Sequence, residues 1–131
     1  MAGLGAAVEF MQELNTEALE AYEAEITKKA LQELSTIEGC IVYGQPGTYY
    51  GQNYEKTPLF SMAIDGAHPS DIAQLLDRMG IAVRSGMLCA EPLLERYGQT
   101  ALLRASFALY NTVEELEFFM EALKKALCML R

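Results

Sequence analysis

The chain is poor in residues that hold metals or form disulfides: its 131 residues include one histidine, three cysteines and no tryptophan. Cys40, Cys89 and Cys128 are odd in number, and none belongs to a Cys-x-x-Cys pair. A chain of this length needs no disulfides to fold, so the pattern argues against a disulfide framework and favours a reducing compartment. Because His68 is the one imidazole, zinc ligands would have to come from scattered positions, and we expect no metal site.

Basic residues are scarce as well. Ten lysines and arginines stand against 18 aspartates and glutamates, which gives a formal net charge of −8. This sign disfavours nucleic acid and anionic membrane surfaces as partners. The sequence has no run of about 20 apolar residues, and its N-terminus lacks the basic flank and apolar stretch of a signal peptide. We therefore expect a soluble, cytoplasmic protein.

The composition is otherwise that of an ordinary globular protein, with 51% hydrophobic and 21% charged residues. The length corresponds to a single domain over residues 1–131. Helical and strand patterns intermix along the chain, with long helices at both ends, and this order predicts an α+β fold. We expect a small antiparallel or mixed sheet of three or four strands, covered by helices mainly on one face.

The pattern of apolar residues predicts the elements in the order α-α-β-β-α-β-(α)-β-α. Two N-terminal helices abut at Asn15, the cap of the second, and Gly39 ends that second helix. Thr112 and Glu115 predict a capping box at the start of the last helix. Residues 44–57 are predicted to form an exposed loop. The remaining predicted elements are strands over 40–43, 58–64, 81–84 and 102–109, a helix from Pro69 to Gly80, and a short helix over 93–97.

Cys89 lies in a predicted loop, residues 84–92, between a strand and a helix start. A thiol can be exposed there, and a helix N-terminus and the nearby Arg84 both favour its thiolate, whereas Glu91 opposes it. The alternative is a small buried hydrophobic residue, because free cysteines are among the most buried residue types. Cys40 and Cys128 are predicted to be core or surface residues without a chemical role.

Arg104 stands in the middle of an apolar strand. A charge in that position is costly unless it pairs with a carboxylate. The pattern leaves open whether that carboxylate is an internal aspartate or glutamate or belongs to a ligand. His68, directly before Pro69, fits the entry to a helix better than a catalytic base.

Four motifs occur in an order that resembles a known family. They are Gly80-Ile81-Ala82-Val83-Arg84-Ser85-Gly86, Cys89-Ala90-Glu91-Pro92-Leu93, Arg104-Ala105-Ser106-Phe107 and Tyr110-Asn111-Thr112. The chain resembles the C-terminal small domain of cysteine desulfurases and selenocysteine lyases, which are class V aminotransferase-fold enzymes dependent on pyridoxal 5'-phosphate. The resemblance covers nearly the whole chain and corresponds to roughly the last third of such an enzyme.

The resemblance implies a role for three residues. Cys89 is the cysteine that attacks the sulfur of the substrate bound to the cofactor, becomes a persulfide and leaves L-alanine. The substrate of the complete enzyme is L-cysteine or selenocysteine. Arg104 binds the substrate α-carboxylate, and Arg84 holds the loop or assists the thiolate. The resemblance further implies a protein sulfur acceptor, a homodimeric complete enzyme and a place in sulfur metabolism and iron-sulfur cluster assembly.

The sequence departs from the family pattern in two ways. Met87 and Leu88 precede Cys89, where the family often has histidine, and no lysine stands in the His-Lys motif of the cofactor-binding large domain. We therefore expect this chain alone to be inactive and not to bind pyridoxal phosphate. One alternative is a stand-alone sulfur-accepting or partner-binding module. Another is a purely structural domain whose helix face around Val8 and Met11 pairs into a dimer.

Overall fold

The computed structural model describes residues 2–49 and 52–131, and within these ranges the chain combines helices with two antiparallel sheets. The α+β class predicted from the sequence is confirmed. The helices are α1 (Ala2–Glu13), α2 (Thr16–Leu34), α3 (Pro69–Arg78), α4 (Glu91–Arg96) and α5 (Val113–Leu130). The strands are β1 (Cys40–Tyr43), β2 (Gly47–Tyr49), β3 (Gln52–Tyr54), β4 (Leu59–Ile64), β5 (Arg84–Gly86) and β6 (Leu102–Ser106).

The main sheet has four strands in the order β1-β4-β6-β5, and every neighbouring pair is antiparallel. Alternation along β4 buries Phe60, Met62 and Ile64 on one face, because successive side chains of a strand point to opposite faces. Leu103 and Ala105 of β6 are buried among the same core residues. This face of the sheet therefore forms one wall of the main core.

Helices α2, α3 and α5 supply the other wall. Their buried residues include Ile26 and Leu34 of α2, Ile72 of α3, and Leu116 and Leu123 of α5. Apolar residues three and four positions apart make one stripe on each helix, which the sheet covers. The opposite face of the sheet is left for the loop after β5 and the short helix α4.

Local capping interactions agree with the sequence predictions. The Asn15 side chain accepts a hydrogen bond from the Ala18 amide at 3.1 Å. In the predicted capping box, the Glu115 amide donates to Thr112 Oγ1 at 3.2 Å and the Thr112 amide donates to Glu115 Oε2 at 3.0 Å. His68 caps α3, as its predicted place at a helix entry requires.

The prediction that α2 ends at Gly39 is wrong, because the helix ends at Leu34. The Ser35 and Thr36 hydroxyl groups donate to the carbonyls of Gln32 and Glu33, so both side chains compete for helical acceptors. Gly39 has φ +70° and serves instead as the turn that leads into β1.

The prediction of a loop over residues 44–57 is also wrong in part. This segment contains the hairpin formed by β2 and β3, in which Gly47 is paired with Tyr54 and Thr48 with Asn53. The predicted loop includes residues 50 and 51, which lie outside the described residues. Hairpin strands as short as three residues show little alternation, and the sequence pattern did not reveal them.

Three further element boundaries differ from the sequence predictions. The strand predicted over 81–84 begins only at Arg84, because the Ile81 amide bonds to the Leu76 carbonyl at the end of α3. The strand predicted over 102–109 ends at Ser106, since Ala108 turns back onto the Asn111 side chain. The helix predicted over 93–97 already begins at residue 91 and ends at 96.

Candidate functional site

A row of four residues crosses the main sheet on the face opposite the core. Tyr43 of β1 is paired with Ser61 of β4, Ser61 with Arg104 of β6, and Arg104 with Arg84 of β5. Residues paired directly across antiparallel strands project from the same face. The fold therefore brings two arginines, 20 positions apart in the chain, next to each other.

This placement of Arg104 is electrostatically unfavourable for the protein by itself. Like charges directly opposite each other destabilise a sheet. Arg104 is half-buried, and its Nε is buried without a hydrogen-bond partner among the described residues. The ion pairs found between described residues join Lys29 to Glu117 and Lys124 to Glu33. Of the two alternatives that the sequence left open, an internal carboxylate is not found paired with Arg104 among the described residues.

Cys89 is held at the tip of a tight turn that follows β5. Leu88 has φ +56° and Cys89 has φ +58°, and these are the non-glycine residues with positive φ in the described part of the chain. The Ala90 amide closes the turn by donating to the Met87 carbonyl at 3.0 Å. The thiol is exposed, so the alternative of a buried hydrophobic cysteine does not hold.

Arg84 contacts the thiol directly. Its Nη2 donates to Cys89 Sγ at 3.6 Å. A guanidinium in this position stabilises negative charge on the sulfur, which is the form of cysteine that acts as a nucleophile. The proximity that the sequence suggested for these two residues is therefore present in the fold, and Arg84 connects the thiol to the strand position opposite Arg104.

Two cavities adjoin the turn. An outer cleft of about 520 Å³ is lined by Cys89 and Arg84, among others. An inner cavity of about 300 Å³ lies between α4 and the sheet and is lined by Arg104 and Ser61, among others. Leu88 borders both cavities. The thiol and Arg104 thus face neighbouring spaces with Leu88 between them.

The inner cavity includes residues that sequence reasoning missed. The Tyr43 ring stacks on Tyr97 at the end of α4, with ring centroids 4.5 Å apart. Lys56 donates to the carbonyls of Tyr43 and Gly44 at 3.4 and 3.0 Å, and burial lowers the pKa of its amine. These contacts join segments more than ten positions apart, and no local sequence signal predicts them.

The other two cysteines occupy different surroundings. Cys40 is half-buried at the start of β1, and burial raises the pKa of its thiol to about 11, although Arg131 opposes the shift. Cys128 is exposed on α5. Neither lines the cavities beside Arg84 and Arg104.

Residues 2–49 and 52–131 contain no cluster of three or more metal-ligating side chains. No helix in these ranges is both long and apolar enough to cross a membrane.

For pyridoxal phosphate, a lysine amine must be available to the cofactor. Lys56 lines the cavity beside Arg104, but two carbonyls bind its amine. The other four lysines lie on α2 and α5, which pack on the opposite face. The described residues therefore do not fit this cofactor by themselves.

A comparison of the sequence with known proteins identifies a family. A sequence model of the aminotransferase class-V family matches residues 1–119. A probable cysteine desulfurase from Xylella fastidiosa is 42% identical over 123 residues, which are 94% of this chain and 28% of that protein. A cysteine desulfurase from Synechococcus elongatus is 40% identical over 123 residues, which are 94% of this chain and 18% of that protein.

Solved structures resemble the chain over nearly its whole length. The S-sulfonic acid form of the cysteine desulfurase CsdA from Escherichia coli has a TM-score of 0.85 and 31% identity, covering 98% of this chain and 30% of that one. The apo cysteine desulfurase from Thermococcus onnurineus has a TM-score of 0.83 and 30% identity, with the same coverage. The chain thus spans less than a third of the length of these relatives.

Proposed function

The chain belongs to the aminotransferase class-V family, and on that basis we propose that it is the part of a cysteine desulfurase that carries the sulfur-accepting cysteine, Cys89. The observation that carries the proposal is an exposed thiol in contact with Arg84, on the strand paired with that of Arg104, for which the described residues supply no anionic partner. An activated nucleophile and an anion-binding group are the two features that sulfur transfer from an amino acid needs.

The proposed reaction balances without an added oxidant. The Cys89 thiol and L-cysteine give a Cys89 persulfide and L-alanine. A sulfur–sulfur bond forms, and the substrate carbon–sulfur bond breaks. The electron pair of the broken bond remains with the carbon, which takes up a proton, so the carbon is reduced and the sulfur is oxidised. Arg84 supports the negative charge of the attacking sulfur.

Arg104 is proposed to bind the substrate α-carboxylate. A guanidinium presents parallel N–H donors that match the two oxygens of a carboxylate. Binding there would satisfy the buried Nε and reduce the repulsion from Arg84 on the paired strand. We expect selenocysteine, with the same carboxylate, to fit this position as well.

The exposed position of Cys89 suits the second half of the reaction. A persulfide at the tip of a surface turn is accessible to the thiol of an acceptor protein, and thiol exchange moves the outer sulfur without a cofactor. The described residues do not fit pyridoxal phosphate by themselves, so we expect sustained turnover of L-cysteine to need groups that this chain does not contain.

The test is a sulfur-uptake experiment on the 131-residue chain. The protein is treated with a small persulfide donor at neutral pH, and peptide mass spectrometry locates the added sulfur. We expect Cys89 to gain it and Cys40 to stay unmodified, because burial raises the pKa of Cys40 to about 11. Exposed Cys128 reports non-selective labelling, and Cys89→Ser is the control. Equal labelling of Cys89 and Cys128, or none at Cys89, overturns the proposal.

A second candidate is a sulfur-accepting module that works without a cofactor domain. The observation in its favour is that the contact between Arg84 and Cys89 lies entirely within this chain. Supplying pyridoxal phosphate and L-cysteine tests what the two candidates share, namely that the chain alone is not a catalyst. Both candidates predict no sulfide release above the Cys89→Ser control, and Cys89-dependent turnover would contradict both.

A further inference from the structure

Leu88 occupies an unusual position for a residue next to a reactive thiol. It is half-buried and borders the inner cavity together with Leu93, Leu94 and Leu102. Leu94 and Leu102 are each 3% exposed, so the lining of the cavity includes buried apolar residues. The neighbouring Met87 is 51% exposed and does not line this cavity.

The backbone of the turn needs outside support. Leu88 and Cys89 both have positive φ, a conformation that costs residues with a Cβ atom roughly 1–2 kcal/mol each. The turn itself is closed by the hydrogen bond from the Ala90 amide to the Met87 carbonyl. Two strained residues in succession persist only where the surroundings stabilise them.

The elements on either side of the inner cavity contact each other. The stacked rings of Tyr43 and Tyr97 join the end of α4 to β1. Helix α4 and the sheet are therefore held together at this point, and Leu88 lines the cavity between them. Across the turn, the Cys89 sulfur lies against the Arg84 guanidinium.

We propose that Leu88 is a positioning residue for Cys89: its side chain anchors the turn in the cavity beneath α4 and so keeps the sulfur against Arg84. The proposal adds a positioning residue to the proposed sulfur-transfer function. Only the biological role of Leu88 rests on that function. The position of the sulfur can be measured by a reaction that involves no sulfur transfer.

The experiment measures the alkylation rate of Cys89 by iodoacetamide in the 131-residue chain, resolved by peptide mass spectrometry. We expect Leu88→Ala to slow the reaction about fivefold, the factor that corresponds to losing the attraction of two unit charges about 4 Å apart in water. Leu88→Met, which refills the cavity, restores the rate. Met87→Ala is the matched control and leaves the alkylation rate of Cys89 unchanged. The alkylation rate of Cys128 is the internal reference and stays the same in every variant.

A double-mutant cycle tests whether Leu88 acts through Arg84. If the anchor keeps the sulfur beside the guanidinium, Arg84→Gln slows the normal chain but has little further effect in the Leu88→Ala background. Additive effects of the two substitutions overturn the proposal. So does an unchanged rate in Leu88→Ala, or an equal loss in Met87→Ala.

Leu88→Gly separates the effect of the side chain from the effect of the backbone strain. It also replaces Leu88→Ala in the experiment if that variant folds poorly. Glycine adopts positive φ without cost but has no side chain for the cavity. The proposal expects slow alkylation in this variant, and a normal rate overturns it. Circular dichroism confirms folding in each case. Loss of sulfur uptake with the alkylation pattern intact would reject the sulfur-transfer function and leave the anchor standing.

Discussion

The residues with proposed roles are unfavourable for stability where they stand. Arg104 faces Arg84 across the strand pair, and its buried Nε lacks a partner among the described residues. Arg131 provides a contrast, because its guanidinium donates to the carbonyls of Glu38 and Asp65. Residues that break local rules of stability mark functional sites. We interpret Arg104 as such a residue.

This interpretation predicts the effect of replacing Arg104 by an apolar side chain of similar length. Arg104→Met removes a like-charge pair and a buried unpaired donor, so we expect the free energy of unfolding to rise by about 1 kcal/mol. Arg131→Met is the matched control and should lower it, since two backbone carbonyls lose their donor. Urea denaturation measures both. A less stable Arg104→Met protein would contradict the interpretation.

At the level of single elements, α5 has the best-defined start. Its capping box joins Thr112 and Glu115, and Asn111 adds a further hydrogen bond to the Glu115 carboxylate. The Thr112 backbone, followed by the Asn111 side chain, lowers the pKa of Glu115 below its ordinary value of 4.5. Residues 107–112 connect the strand that carries Arg104 to this end of α5, and within them the Asn111 side chain accepts a hydrogen bond from the Ala108 amide.

The lowered pKa gives a pH-dependent contribution to stability. Because the folded pKa lies below the unfolded one, Glu115 stabilises the fold above its ordinary value of 4.5, and this contribution is lost as the pH falls through the folded value. Glu115→Gln cannot ionise, so its deficit against the normal chain should shrink as the pH falls below 4.5.

Urea denaturation at a series of pH values measures this change. Glu121→Gln, on an exposed part of the same helix, is the control and should show no such convergence. A deficit for Glu115→Gln that is the same at neutral and acid pH would contradict the prediction.

At the scale of the whole molecule, α1 stands apart from the core. None of its residues is buried, and Leu4, Val8 and Met11 are 69%, 49% and 52% exposed. The apolar stripe that predicted the helix is therefore not covered by the described residues. The stability of the fold comes from the layer formed by α2, α3, α5 and the main sheet.

Removal of residues 1–14 should accordingly have little effect on stability. We expect the melting temperature of a chain that starts at Asn15 to stay within about 2 °C of the full chain, because segments with few buried contacts contribute little to global stability. Leu34→Ala is the contrasting variant. Leu34 is almost completely buried, and its truncation should cost about 2–5 kcal/mol. A large loss on removing α1 would show contacts that the burial of α1 does not reveal.

The sequence by itself determined the elements whose signals are local. Helical periodicity, the Asn15 cap and the capping box at Thr112 depend on residues within a few positions of each other, and the structure agrees with them. The motifs around Cys89 and Arg104 also pointed to the family. End points were less certain, as the early end of α2 and the late start of β5 illustrate.

Only the tertiary structure decided how distant segments meet. The pairing of Arg104 with Arg84, the stack of Tyr43 on Tyr97 and the place of Leu88 beneath α4 each join parts of the chain that no local pattern connects. Strand register and side-chain packing depend on the whole core, in which a shift of one residue would turn every side chain to the other face. The candidate site is therefore a product of packing, although its chemical groups are visible in the sequence.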